Sequence, residues 1–282
     1  MPTTAYIPYC GPPPAPGAAT WNLDPVLLAA FAASAILYAG GARAAGATRG
    51  ERACFAAGWL VLALAFVSPL CQIGVALFSA RAGQHVLATL VAAPLIVRGR
   101  GGLVFRALRP HLPRVRRRGP ASASMDAGKS APAAALALGP ALFAAALWTW
   151  HLGPPYDATL TSDAIYWAMH ASLFGAALLL WWGLLRAPRD LGFAAILVAL
   201  ATGLQMTLLG VALTFAEGAW FASHLTTTAA WGLTPLEDQQ LGGLVMWMPG
   251  MVLMLANALL AFAAALRGLE ARAPGWSGPD GR

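Results

Sequence analysis

The chain has 282 residues, of which 59% are hydrophobic and only 10% charged, and it carries a formal charge of +7. A soluble domain carries roughly 25% charged residues, so water is not the main solvent of this fold. The basic excess would suit a nucleic-acid partner, and the placement of the arginines argues against one.

Residues 1–24 come first. Met1–Trp21 has no charged side chain, is rich in Pro and Gly, and lacks the basic region and apolar core of a signal peptide. It reads as an external N-terminal arm. A membrane domain over residues 25–266 follows, predicted as an all-α, polytopic bundle of about seven transmembrane helices. The apolar stretches are Pro25–Ala42, Ala53–Leu70, Ile73–Val97, Ala131–Trp150, Ala164–Leu185, Leu191–Phe215 and Leu241–Leu266. Each approaches the roughly 20 residues, at ~1.5 Å apiece, that cross a hydrocarbon core of about 30 Å. A membrane barrel needs short alternating segments, which the sequence lacks. Residues 98–130, rich in Gly, Ser, Ala and Arg in their later part, read as a connecting loop, and residues 267–282 as a tail.

Charge fixes the expected orientation. Arg43, Arg49 and Arg52 lie between the first two spans, Arg98 to Lys129 between the third and fourth, and Arg186 and Arg189 between the fifth and sixth. Arg267, Arg272 and Arg282 follow the seventh, so every basic residue except Arg81 falls on one side. By the positive-inside rule that side is cytoplasmic, which puts the N-terminus outside and the C-terminus inside. The opposing loops, around Pro69–Gly74, His151–Asp163 and Glu217–Gln240, contain no Lys or Arg. Arg114, Arg116, Arg117 and Arg118 lie beside the membrane without interleaved aromatics, which fits anionic headgroups better than nucleic acid.

Polar groups within the spans are the informative ones, because a charge at mid-membrane costs about 2.5–3.5 kcal/mol or more. Arg81 is followed by Gln84 and His85 three and four positions later, on one helix face. Either Arg81 snorkels outward and His85 is a hydrogen-bonded interior group, or the face carries function. Of the five histidines, His85, His151, His170 and His224 fall toward the outer side and His111 toward the cytoplasm. Met169 precedes His170, and the seventh helix opens on Asp238, Gln239 and Gln240, with Met246 and Met248 beyond. Imidazole and thioether suit copper, particularly the reduced ion, if these groups converge. Lone histidines are otherwise structural, methionines otherwise packing, and Asp238 is as good a helix cap as a ligand. Cys10 and Cys71 both lie outside in this topology, where a disulfide can form, and two thiols also suit copper; Cys54 lies at the opposite end of the second span. No strong enzyme signature is present: there is no Gly-x-Ser-x-Gly, His-Glu-x-x-His or phosphate-binding loop.

Several motifs resemble the CtaG-like family of cytochrome c oxidase assembly proteins. They are Tyr9-Cys10-Gly11-Pro12-Pro13-Pro14, Trp21-Asn22-Leu23-Asp24-Pro25, Gln84-His85, Ala93-Pro94-Leu95, His151 with Pro155-Tyr156-Asp157, and His170 with Trp181-Trp182. The most specific is the block from Gly232 to Trp247, with Asp238-Gln239-Gln240 at its centre. The resemblance implies a non-enzymatic factor in the bacterial plasma membrane that meets haem-copper oxidase subunits in the lipid bilayer and supports their copper centre. Two positions depart from the pattern: Arg81 stands where many members have a second His, and Met169 where they have an acidic residue. A permanent cation repels a bound metal, so a copper site of His85 and His170, with Met169, requires Arg81 to turn away or to meet an anion. His151 and His224 match the family by position. A copper or other metal transporter is the alternative reading. A membrane enzyme acting on haem or lipid, with His85 or His170 as acid or base, is a third.

Overall fold

The computed structural model describes residues 6–108 and 121–270, and among these it is helical with no strand. Seven helices are long and apolar enough to cross a membrane, so the chain is a multi-pass membrane protein by length and composition. α1 (Pro25–Ala44) starts where the Asp24 carboxylate accepts from the Leu27 N–H at 2.7 Å, with Pro25 in the first turn. α2 (Arg49–Val67) starts in a capping box of Thr48 and Glu51, four residues ahead of the expected boundary at Ala53, because polar capping groups carry the helix into the arginine-bearing connection.

The third span departs most from expectation. The short α3 (Leu70–Ala76) ends at Leu77, whose backbone is extended (φ −127°, ψ 130°), and α4 (Phe78–Arg98) starts afresh. Within α4, Leu87–Ala92 is a π-helical turn in which the Ala93 N–H bonds Ala88 O. Pro94 has no N–H to offer, so the Thr89 carbonyl is freed, and the Trp181 indole N–H takes it at 2.9 Å. α4 is central: it packs on α2, α8 and α10.

A short α5 (Leu103–Leu108) lies against α1, where Gly41 lets the helix meet the Leu103 carbonyl; a Cβ at Gly41 would sit 2.1 Å from that oxygen. α6 (Ala121–Trp150) begins ten residues ahead of the expected span, within the stretch 98–130 that the sequence reads as a connecting loop. His111 and the basic run Arg114 to Arg118 lie outside the described residues, as does the chain beyond Glu270. α7 (Gly153–Ala158), α8 (Asp163–Leu185), α9 (Gly192–Thr214) and α10 (Pro235–Glu270) complete the chain. α6 and α8 touch through glycines: a Cβ at Gly139 would meet Leu180 backbone at 2.8 Å, and one at Gly183 would meet Leu136 backbone at 2.6 Å. Small residues permit this approach where lipid supplies no hydrophobic drive.

The loops sort to two faces. On the arginine face the Tyr38 hydroxyl donates to Gly99 O at 2.7 Å, and Arg100 pairs with Glu51 at 3.6 Å. On the other, the arm face, residues 6–24 lie across the helix ends. Tyr9 stacks on Tyr166 with ring centres 5.1 Å apart, the Gln72 amide donates to Pro12 O, Thr20 donates to Gln72 Oε1, and Trp231 donates to Pro14 O. Cys10 and Cys71 are joined by a disulfide. Large apolar side chains such as Val26, Ile36, Phe193 and Leu260 remain exposed on the perimeter, as hydrocarbon contact requires.

Candidate functional site

The break at Leu77 leaves free backbone groups at both helix ends, and these organise the arm face. The Phe78 and Ser79 N–H groups and the Ser79 hydroxyl donate to the Asp238 carboxylate, which is fully buried. Asp238 is therefore a cap, but of α4 rather than of its own helix. α10 is capped by Thr234 and Glu237, which exchange hydrogen bonds in a capping box. The block Asp238-Gln239-Gln240 thus lies inside the helix. Gln239 accepts from the Trp220 N–H at 2.6 Å and donates to Leu213 O and Gly218 O, pinning the loop before α10. Gln240 contributes its carbonyl, which accepts from the Thr214 hydroxyl at 3.5 Å.

The carbonyl side of the break has its own partners. Ala76 O accepts from the Thr227 hydroxyl and from His224 Nδ1, and the Tyr156 hydroxyl donates to His224 Nε2 at 2.7 Å. Both nitrogens of His224 are engaged, so it stands apart as a structural clamp. Asp157 accepts from the Ala222 and Ser223 N–H groups and the Ser223 hydroxyl, fixing the turn that carries His224. Burial holds His224 down at about 4, with the Arg81 charge acting in the same direction, and burial raises the Tyr156 phenol.

Arg81 is 1% exposed. Its Nε donates to Gly74 O at 3.1 Å and its Nη1 to the Thr159 hydroxyl at 2.7 Å, and its guanidinium carbon lies 5.5 Å and 5.8 Å from the ring centres of Tyr156 and Tyr166. Among the described residues no carboxylate lies within ion-pair distance of it. The side chain is drawn toward the arm face, while His85, one turn further along α4, lies deeper. Thr159 and Tyr166 had no distinct signal in the sequence, although Tyr166 precedes His170 by four residues and so shares its helix face.

Three histidines converge. The ring centres of His85 and His170 are 5.1 Å apart, and those of His85 and His151 are 6.2 Å apart. His170 Nδ1 donates to Tyr166 O at 2.9 Å and His151 Nδ1 to Leu147 O at 2.7 Å, so each neutral ring keeps its lone pair on Nε2. Burial pushes His151 down to about 4, so its imidazole is neutral. His170 Nε2 and both nitrogens of His85 are buried without a hydrogen-bond partner. Buried imidazole nitrogens are ordinarily paired, and three orphaned nitrogens on two adjacent rings are an exception to that rule. A metal at ~2.0–2.1 Å from one nitrogen of each ring sets the ring centres about 5–6 Å apart, a range that includes the 5.1 Å between these two edge-on rings. Among the described residues no group of three or more His, Cys, Asp or Glu is arranged to hold a metal, so of these residue types only the His85–His170 pair stands as a candidate. Met169 is buried but adjacent to His170, about 100° around the helix and so on a different face. Gln84 donates to Ala65 O and braces α4 against α2. Met246 is buried and Met248 half exposed.

No curated protein and no solved structure matches the chain. One protein family does, through residues 35–268, a stretch that holds the broken third span, the three converging histidines and the whole block from Gly232 to Trp247. The chain belongs to the cytochrome c oxidase caa3 assembly factor (Caa3_CtaG) family.

Proposed function

We propose that this protein is a non-enzymatic factor that supports the copper centre of a haem-copper oxidase by holding copper transiently between His85 and His170, in the bacterial plasma membrane with the arm face outside the cytoplasm. The observation that carries this reading is the adjacent pair of buried, unpartnered imidazoles, edge-on with ring centres 5.1 Å apart. Imidazole suits copper, and a shell that this chain leaves incomplete suits a metal that is passed on rather than kept. Family membership supplies the oxidase as client. Arg81 bonds Gly74 O and the Thr159 hydroxyl and neither imidazole, but among the described residues it meets no anion, so its charge still opposes a cation at the pair.

Deletion of the gene lowers the copper content and activity of the cell's haem-copper oxidase, and a copy carrying His85→Ala and His170→Ala does not restore them. Unchanged oxidase copper and activity after deletion would sink the reading. Copper uptake into liposomes by the purified protein, abolished by the same pair of substitutions, would favour the transporter instead.

A further inference from the structure

We propose that Cys10 and Cys71, once reduced, form a second copper site, a two-thiolate seat for cuprous copper where the arm crosses the helix ends. The proposal rests on the copper reading for the identity of the metal, and the two sites are separable by experiment. The cysteines are 8% and 1% exposed, with Cα atoms 5.5 Å apart. The Tyr166 hydroxyl lies 3.3 Å from Cys10 Sγ and 3.6 Å from Cys71 Sγ, and the Asn22 amide nitrogen lies 3.7 Å from Cys71 Sγ. A disulfide is uncharged and needs no donors, whereas buried thiolates do. Here an O–H and an N–H already face the sulfurs, as outer partners of metal ligands do.

Charge points the same way. Two thiolates around one cuprous ion carry a net charge of −1, which is costly in a buried place unless a cation faces it. Arg81 is the nearby cation: buried, without a carboxylate partner among the described residues, and seated against the ring of Tyr166, whose hydroxyl touches both sulfurs. Soft sulfur ligands select cuprous copper over harder ions. Tyr166 also joins this seat to the histidine pair, since its ring centre lies 4.2 Å from that of His170 and its carbonyl receives the His170 Nδ1 proton.

The chemistry balances with an external dithiol as reductant. That dithiol gives two electrons and two protons to the Cys10–Cys71 bond and leaves as its own disulfide. The two cysteine thiols then bind one cuprous ion and release two protons, with no change in the oxidation state of copper.

The test uses the full chain carrying Cys54→Ser, because Cys54 is the third cysteine and is not disulfide-bonded. Oxidised protein and protein reduced with dithiothreitol, freed of reagent without air, are titrated with cuprous ion against the chelator bicinchoninate. The reduced chain binds one more equivalent than the oxidised chain. That equivalent is lost in Cys10→Ser/Cys71→Ser and after alkylation of the reduced chain, which needs no refolding of a variant. It persists in His85→Ala/His170→Ala. Tyr166→Phe weakens it by about tenfold, through loss of the donor to the sulfurs. Equal stoichiometry in the oxidised and reduced chains, or an extra equivalent that survives alkylation, overturns the thiolate seat. Failure of the histidine reading shows separately, as unchanged copper binding of the oxidised chain in His85→Ala/His170→Ala.

Discussion

His224 illustrates how a buried histidine of the arm face serves structure and not metal. Ala76 O can only accept, so Nδ1 carries the proton, and a neutral ring then offers Nε2 to the Tyr156 hydroxyl. Protonation would oppose that second bond. Burial first and the Arg81 charge next hold the group at about 4, against opposing pulls from the Ala76 O bond and then from Asp157. In the unfolded chain the imidazole titrates near 6.5, so between the two values the unfolded state binds more protons. Stability therefore falls as pH drops from 6.5 toward 4 and is flat above, with a full span of about 3 kcal/mol from this group. Thermal unfolding in detergent from pH 4.5 to 7.5 shows the slope, and His224→Gln makes it shallower; His151, also held at about 4, keeps it from vanishing. An unchanged slope in His224→Gln would refute the assignment. The residue types at this face were legible in the sequence and their roles were not. Asp238, Gln239 and His224 look alike as polar residues at a membrane entrance, and only partners up to 160 residues distant tell a cap from a clamp.

At the scale of elements, the third span separates what hydropathy reads from what it misses. Length and apolar content locate the span, but no Pro or Gly marks the interruption at Leu77. The break exists because a carboxylate on another helix satisfies its N–H groups, an interaction that no local pattern announces. Asp238→Ala leaves the Phe78 and Ser79 N–H groups without their acceptor and costs about 1–3 kcal/mol for each N–H left unpaired. Asp238→Asn keeps one acceptor oxygen and costs less, and the order of the two melting temperatures checks the account. Pro94 is visible in the sequence, whereas the indole that compensates for it is not. Trp181→Phe keeps the ring and removes the N–H from the freed Thr89 carbonyl, at a cost of about 1–3 kcal/mol. Hydrogen exchange in Leu87–Ala92 rises in that variant if the bond holds the π turn closed. Protection equal to that of the parent chain would show that helix packing alone holds it.

Across the whole molecule the distribution of charge and the fold meet in a single statement about orientation. The described fold gathers Tyr38, Glu51 and Arg100 at one face and gathers the arm, the Cys10–Cys71 bond and the broken span at the other. An orientation with the arginine face outside the cytoplasm would oppose the positive-inside bias at every loop together, and no loop on the arm face carries a balancing Lys or Arg. Arg81 does not weaken that bias, because it is buried within the bundle and bonded there, not displayed in a loop. Single cysteines placed at Ala18 on the arm and at Gly46 between α1 and α2, in a chain carrying Cys54→Ser with its native disulfide kept oxidised, report the two faces in intact cells. A membrane-impermeant maleimide labels Ala18→Cys from outside and reaches Gly46→Cys only after the membrane is opened. The reverse pattern would place the disulfide in a reducing compartment and the converging histidines at the cytoplasmic end, and the proposed delivery of copper from the arm face would fall with it.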